Sequence, residues 1–523
     1  MKTKRLRSYL VIGILVWLGP DQTVLRAVGQ EEPAARPQTP ATEQTTSEET
    51  PRTDIDQADD VDVAKLLELI DVGPYEVPPL VLQEDHNYAH SSVDVEPFRH
   101  VTPYKEHFLE QMEYTGPGRA IPEPNDVDTV KIGFIGPIMG TVSVATGGKS
   151  HEEVLGIAMF RGAQLAIEQA NQRGGYRNRG IPFELVISND NGLWGASGNE
   201  IIKMAYKDKV WAILGTIDGA NSHIAIRVAL KAEIAMMNSG DTDPTFIETN
   251  IPWVFRCIGD DRQMGYLLVD YLYRQLKYTR IGIIRASNRY GRFGVREVLD
   301  GSRRLGCPVI LEMAYQVGAD DFSLQLQRLK DSNIEAIVHW GDAVDGAVIL
   351  NQMRVAGMDQ PYFACDRCVS DEFLEIAGDN AEGVVCGYPW DPMREDPDLA
   401  AFHTTYRERF GIEPDTYAAH AHDGMNMLIW AIQHAGLNRA KIRDVLAHRA
   451  TAYKGVTGVI PLSACLDDLG EVFLARVENG KWTFYSRQNL EIPHGTIAPR
   501  DRVSRKTVHR TDDGRSLQTE PRP

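Results

Sequence analysis

From Val130 the chain alternates short apolar runs with longer stretches of helical period, the rhythm of strands joined by crossover helices. VKIGFIGP at Val130 is an apolar run closed by Gly136 and Pro137, as expected where a buried strand meets a loop. IAMFRGAQLAIEQANQRGG follows, with Ile157, Phe160, Ala163, Leu165 and Ile167 on or near one helical face and Gly174-Gly175 as a C-cap. Next come a strand at FELVIS from Phe183, a helix around Ile201 to Tyr206, and a strand at Val210 to Gly215. After one more helix, IAMMN from Ile234 leads into NSGDTDP. The pattern then repeats: strand Arg280–Arg285, helix Phe293–Leu305, strand Val309–Tyr315, helix Phe322–Leu329, strand Ala336–Trp340, helix Gly346–Val355 and strand Tyr362–Ala364. The fold class is α/β, with two Rossmann-like lobes built on parallel sheets. Ligands of such sheets bind at the loops after the strands, so Gly215–Ser222 and Asn238–Pro244 are candidate binding loops.

The ends of the chain have a different character. In residues 1–29, Lys2, Lys4, Arg5 and Arg7 precede an apolar run from Tyr9 to Leu18 and a small-residue stretch at Ala27–Gly29, the pattern of a secretory signal peptide. That run falls well short of the about 20 residues a membrane span needs. Residues 30–61 are acidic, rich in Thr, Pro and Gln and poor in large apolar residues, and read as a disordered tether. Residues 62–129 form a proline-punctuated extension with Tyr75, Tyr88, Phe98, Tyr104, Phe108 and Tyr114, expected to strap along the first lobe. Residues 488–523 are a polar, arginine-bearing tail. The net charge of −18 argues against nucleic acid and suits a soluble exported protein, periplasmic or beyond.

Motifs for catalysis are weak. GGKS at Gly147 lacks the first glycine of a phosphate-binding loop, because position 143 is Ser143. The small-residue segment between Gly140 and Gly156 reads instead as a rim or lid over the crevice. Cys365-Asp366-Arg367-Cys368 is a CxxC, but it follows a strand, and no second CxxC or HxxxH accompanies it as a zinc site would require. The preferred expectation is a disulfide that stiffens this loop, with Cys386 a further partner, although pairing among the six cysteines is not readable. His420 and His422, two apart, do not share a helix face and are not expected to bind metal. No Ser-His-Asp order, catalytic carboxylate pair or dinucleotide fingerprint occurs, so neither an enzyme nor a cofactor is expected.

The order of IGFIGP at Ile132, RGAQLAIEQANQRGG at Arg161, AILG at Ala212, TDP at Thr242, VFR at Val254, RIGIIRASNRYG at Arg280, DDFSLQLQRLK at Asp320, EIAGDNAEGVV at Glu375 and VTGVIPL at Val456 resembles one family. It is that of the type I periplasmic binding proteins of the leucine/isoleucine/valine-binding branch, solute receptors of branched-chain amino acid ABC transporters. The resemblance implies lobe 1 from residues 130–257 and 391–452, lobe 2 from 258–390 and 453–487, and hinge crossovers near Trp253–Gly259, Tyr388–Asp391 and Thr451–Lys454. It places a ligand carboxylate on Thr242 and on the backbone N–H of Gly240, and a ligand ammonium on Asp366. It also marks departures. Where relatives have a carboxylate-binding serine this chain has Gly219 beside Asp218, and where they have an aromatic it has Asp342. Asp218, Asp342 and Asp366 would then face one cleft and favour a cationic or multiply aminated ligand, unless some of them only cap helices. The implied function is capture of an amino acid or related amine or amide between the lobes and its delivery to a membrane ABC permease. A ligand sensor of the same fold signalling to a protein partner, and an exported redox or metal-dependent enzyme built on the CxxC, are the alternatives.

Overall fold

A computed structural model describes residues 112–138, 151–190, 194–249, 251–449 and 451–486. The signal peptide, the tether, most of the extension, most of the 140–156 loop and the tail lie outside them. The strands form two main sheets. The first contains β1 Val130–Gly136, β2 Phe183–Asn189, β3 Ala212–Leu214, β4 Ala235–Asn238 and β5 Val254–Arg256, all parallel, in the order β2-β1-β3-β4-β5. The second holds β6 Ile281–Ala286, β7 Leu311–Tyr315, β8 Ala336–Trp340, β9 Tyr362–Ala364 and β10 Val385–Tyr388 in parallel. A short ribbon, β11 Tyr453–Lys454 and β12 Val459–Ile460, precedes β13 Phe473–Glu478 and β14 Lys481–Ser486, which extend the second sheet antiparallel to give the order β14-β13-β10-β9-β8-β6-β7. β3, β4, β5, β8 and β9 are buried along their whole length, because helices cover both faces of a parallel sheet. The edge strand β7 alternates instead.

The helices are α1 His151–Gln172, α2 Trp194–Ile202, α3 Gly219–Ala232, α4 Asp261–Asp270, α5 Arg289–Arg304, α6 Ser323–Asp331, α7 Ala343–Val355, α8 Asp371–Ala377, α9 Pro397–Phe410, α10 Thr416–Ala435 and α11 Arg439–Ala447. Among the described residues no helix is long and apolar enough to cross a membrane. Caps decide where several helices begin. α5 starts at Arg289, ahead of the expected Phe293, because Asn288 Oδ1 accepts from Gly291 N at 3.0 Å. α7 starts at Ala343 rather than Gly346, with Asp342 at the N-cap position but no side-chain cap bond. The helix expected over Ile201–Tyr206 is α2, which begins earlier and continues into a wider π turn over Lys203–Asp208.

The chain leaves the first sheet after β5, returns after β10 to lay α10 against α1, and enters the second sheet again at β13. Part of the last passage stays with the first sheet: Leu466 O accepts from Arg256 N at 3.0 Å on β5.

Residues 112–127 strap along the first lobe. Met112 N donates to Ala464 O at 2.9 Å, and Tyr114 packs edge-on against Trp253 with ring centres 4.7 Å apart. Arg119 makes a bidentate pair with Asp444 at 2.6 and 2.9 Å, while the Asn438 side chain donates to Gly118 O at 3.0 Å and Ile121 O at 2.7 Å. Arg119→Ala is expected to cost about 1–3 kcal/mol in urea unfolding. The loss stops there because Asp444 keeps Arg443 Nη1 at 3.1 Å and is not left as a lone buried charge. A change within about 0.5 kcal/mol, the range of ordinary surface substitutions, would show that the strap is not anchored here.

Candidate functional site

The loops that end β3 and β4 form one wall of the cleft. Gly215 has φ +134°, and a Cβ there would lie 1.9 Å from Ile135 O, so only glycine lets the chain turn so close to β1. Asp218 is the N-cap of α3, accepting from Ala220 N at 2.6 Å. After β4 the backbone is folded on short side chains: Asn238 Oδ1 accepts from Gly240 N at 2.9 Å and Asp241 N at 2.7 Å, and Asp241 Oδ1 accepts from Asp243 N at 3.0 Å. Thr242 is buried, and its carbonyl accepts from Asp261 N at 2.8 Å at the start of α4.

The opposite wall comes from the ends of β6, β8 and β9. Asn288 caps α5 and so places Arg289 and Tyr290 at the mouth. Arg289 reaches across to the first lobe, with Nε 2.8 Å from Asp243 Oδ2 and Nη2 2.8 Å from Thr245 Oγ1. Asp366 opens a short 3-10 turn, Asp366–Cys368, directly after β9. Each of its oxygens receives a phenol: Tyr290 OH donates to Oδ1 at 2.5 Å and Tyr417 OH to Oδ2 at 2.7 Å. Tyr417 belongs to α10, which packs in the first lobe, so Asp366–Tyr417 and Arg289–Asp243 both bridge the lobes. Arg367 donates from Nη1 to Asp342 Oδ1 at 2.9 Å, and its guanidinium carbon lies 3.8 Å from the Tyr290 ring centre.

This arrangement bears on three of the expectations. The N–H of Gly240, assigned to a ligand carboxylate, donates instead to Asn238 Oδ1 within the turn. Gly219 is backed by the inter-lobe ion pair: a Cβ there would meet Arg289 Nε and Asp243 Oδ2 at 2.8 Å each. The trio Asp218, Asp342 and Asp366 does not act as one acidic cleft, because Asp218 caps a helix and Asp342 is paired with Arg367. Of those three, Asp366 is the acid whose oxygens face the phenols between the lobes, and a different acid, Asp261, joins it. Burial first, and then the Asp366 carboxylate, push Asp261 well above the ordinary carboxylate range, against the neighbouring Thr242 hydroxyl. Burial, and next the Asp243 carboxylate, raise Asp241 to about 7. The sequence reading gave no role to Arg289, Tyr290, Tyr417 or Asp261. The motif RASNRYG contains the first two, and its position directly after a strand was the available signal for them.

The expected disulfide is absent as well. Cys257, Cys307, Cys365, Cys368, Cys386 and Cys465 are all free thiols, and Cys365 Sγ instead donates to Gly341 O at 3.1 Å. His420 sits against Thr416 within its own helix, with Nδ1 2.8 Å from the Thr416 carbonyl, and His422 Nε2 lies 3.0 Å from Gln169 Oε1.

Residues 129–468 match the periplasmic binding protein family. The Leu/Ile/Val-binding protein homolog 2 of Brucella abortus (strain 2308) is 26% identical over 360 residues, covering 68% of this chain and 94% of that protein. A leucine-, isoleucine-, valine-, threonine- and alanine-binding protein of Pseudomonas aeruginosa is 23% identical over 335 residues, with 63% and 85% covered. Among solved structures, a leucine binding protein from Thermotoga maritima superposes with TM-score 0.61 at 24% identity, over 68% of this chain and 98% of that one. A solute binding protein from R. palustris in complex with benzoate gives TM-score 0.60 at 16% identity, over 68% and 96%. Two parallel-sheet lobes that meet at the ends of their strands, with a family match spanning both, lead to one conclusion: this chain belongs to the periplasmic binding protein family.

Proposed function

We propose that this protein captures a free amino acid, or a closely related small amine or amide, between its lobes and presents it to the membrane permease of an ABC transporter after export. The observation that carries the reading is Asp366, a buried carboxylate between the lobes whose two oxygens are held by phenols from opposite lobes. A carboxylate so placed is the partner an ammonium group needs when both are withdrawn from water. Thr242, across the cleft, supplies a hydroxyl for the ligand carboxylate, and its loop is already fixed by Asn238. The names of relatives point the same way, toward leucine, isoleucine, valine, threonine and alanine. The benzoate-bound structure shows a carboxylic acid without an amine on the same fold, and a buried Asp366 disfavours such a ligand here. Closure is the natural signal to the permease, since Arg289–Asp243 and Tyr417–Asp366 form only when the lobes meet.

The test is a thermal-shift and calorimetric screen of the mature chain against neutral and cationic amino acids, amides, simple amines and benzoate. A neutral amino acid at about 100 times its Kd is expected to add about 2.7 kcal/mol of stability. A cooperative melt that no amine-bearing compound moves, or one moved by benzoate alone, would overturn the reading.

A further inference from the structure

Behind the loop that carries Asp366, the fold gathers a set of soft donors. Cys365 Sγ, Cys368 Sγ and a ring nitrogen of His339 all lie within 4.8 Å of one another, and all three residues are fully buried. The two cysteines flank the 3-10 turn after β9, while His339 comes from the neighbouring strand β8, which pairs with β9 through His339 and Ala364. We propose that these three side chains, with the Gly341 carbonyl, form a structural zinc(II) site that pins the Asp366 loop to the second sheet. The proposal stands independently of which solute, if any, the cleft binds.

The distances suit that ion. Tetrahedral zinc with ordinary Zn–S and Zn–N bonds requires donor-to-donor edges of about 3.5–3.8 Å. Cys368 Sγ is 3.5 Å from His339 Nδ1, and Gly341 O lies 3.1 Å from Cys365 Sγ and 3.9 Å from Cys368 Sγ. The three side-chain donors lie within 4.8 Å of one another, so the thiols would have to shift to share one centre with the imidazole and the carbonyl. The surroundings are those of a ligand set. Tyr315 OH is 2.9 Å from His339 Nε2, so a proton on Nε2 has an acceptor to hold it and Nδ1, 3.5 Å from Cys368 Sγ, is the nitrogen that would bind the ion. The imidazole is also stacked between Tyr315 and Tyr362, at 5.9 and 6.0 Å with interplanar angles of 19° and 20°. Gly341 N donates to Cys365 Sγ at 3.4 Å, the kind of contact that supports a thiolate. Above the site α7 approaches through Gly346, where a Cβ would lie 2.9 Å from His339 Nδ1 and 3.1 Å from Cys368 Sγ. Any side chain there would displace two of the donors.

Charge selects zinc among soft ions. Binding releases two thiol protons, and two thiolates with Zn²⁺ leave no net charge in a dry interior; a cuprous ion would leave one negative charge close to Asp342 and Asp366. The sequence hid the site because the third side-chain donor sits on a different strand and not in a second CxxC.

The test begins with the full chain itself, purified without chelators or metal-affinity resin. Elemental analysis is expected to find about one zinc per chain, and cobalt(II) in its place should show tetrahedral d–d bands with a thiolate charge-transfer band. Cys365→Ser and Cys368→Ser are each expected to lower retained zinc at least about tenfold while leaving the molecule folded by circular dichroism. Less than about a tenth of an equivalent in folded wild-type protein refolded with excess zinc would overturn the site, as would a mapped Cys365–Cys368 disulfide or copper held in its place. Zinc unchanged in both serine variants would also overturn it. The solute screen is read separately on the same samples, so failure of the metal site and failure of the binding function are distinguishable.

Discussion

Arg256→Ala is expected to destabilise the protein by about 3–5 kcal/mol, the cost of breaking a buried ion pair from one side. Arg256 is fully buried at the end of β5, where the chain first leaves the first sheet. Its Nε and Nη2 hold Asp467 at 2.7 and 2.8 Å, Nη2 reaches Asp260 at 3.2 Å, and Nη1 donates to the carbonyls of Asp241 and Asp243 at 3.3 and 2.8 Å. One guanidinium thus joins the candidate ligand loop, the segment of the last crossover and the residue that caps α4 in a reciprocal capping box with Gln263. Burial opposes its charge, but the Asp467 and Asp260 carboxylates outweigh that and hold it protonated. Asp260 already stands at about 6, lifted by burial and pulled back by Arg256, and burial lifts nearby Asp468 to about 8. Without the arginine these acids rise further. Acids whose folded pKa exceeds the unfolded value favour the fold at low pH and lose that advantage as pH climbs through the folded value. The penalty of Arg256→Ala should therefore be larger at pH 8 than at pH 5, in urea melts run at both. A loss under about 1 kcal/mol at pH 8 would mean that the crossovers are held together elsewhere.

Much of this architecture was legible because parallel sheets write themselves plainly: both faces are buried, so strands such as AILG and IAMM are unbroken apolar runs, and the ligand loops must follow them. That rule marked Asn238–Pro244 as a ligand loop, while Asp366 entered only through the family resemblance. It could not say which acids stay in the cleft. Asp342 stands at a strand end like Asp366, yet the 3-10 turn swings Arg367 onto it, and nothing in the wording CDRC fixes that swing. Arg256 appeared only as part of the phrase VFR; its partner Asp467 is 211 residues away, and pairs at that range have no local signature. Tyr417 was hidden the same way, since it reaches Asp366 from a helix of the other lobe. Gly240 was assigned through the resemblance alone; Asn238, two residues before it, accepts from its N–H within the turn, a use of Asn that the sequence could have suggested.

Asp366→Asn is expected to weaken amino acid binding by about thirtyfold or more, the equivalent of about 2 kcal/mol or greater, as when one partner of a desolvated charge pair is lost. Asparagine has nearly the same shape, and each tyrosine hydroxyl both donates and accepts, so Tyr290 and Tyr417 can keep a hydrogen bond to the new side chain. The fold and the melt of the unliganded protein should change little. What is lost is the negative charge that an ammonium would meet in a site closed to water, and calorimetry on the same titrants as the wild type reads that loss directly. The size of the effect also sorts ligands. An amine that relies on Asp366 loses affinity, while a solute held only through its carboxylate keeps it or gains. If neutral amino acids bound the variant as tightly as the wild type, the phenol-clasped carboxylate would be a latch between the lobes rather than a ligand, and Tyr417–Asp366 would be explained by closure alone.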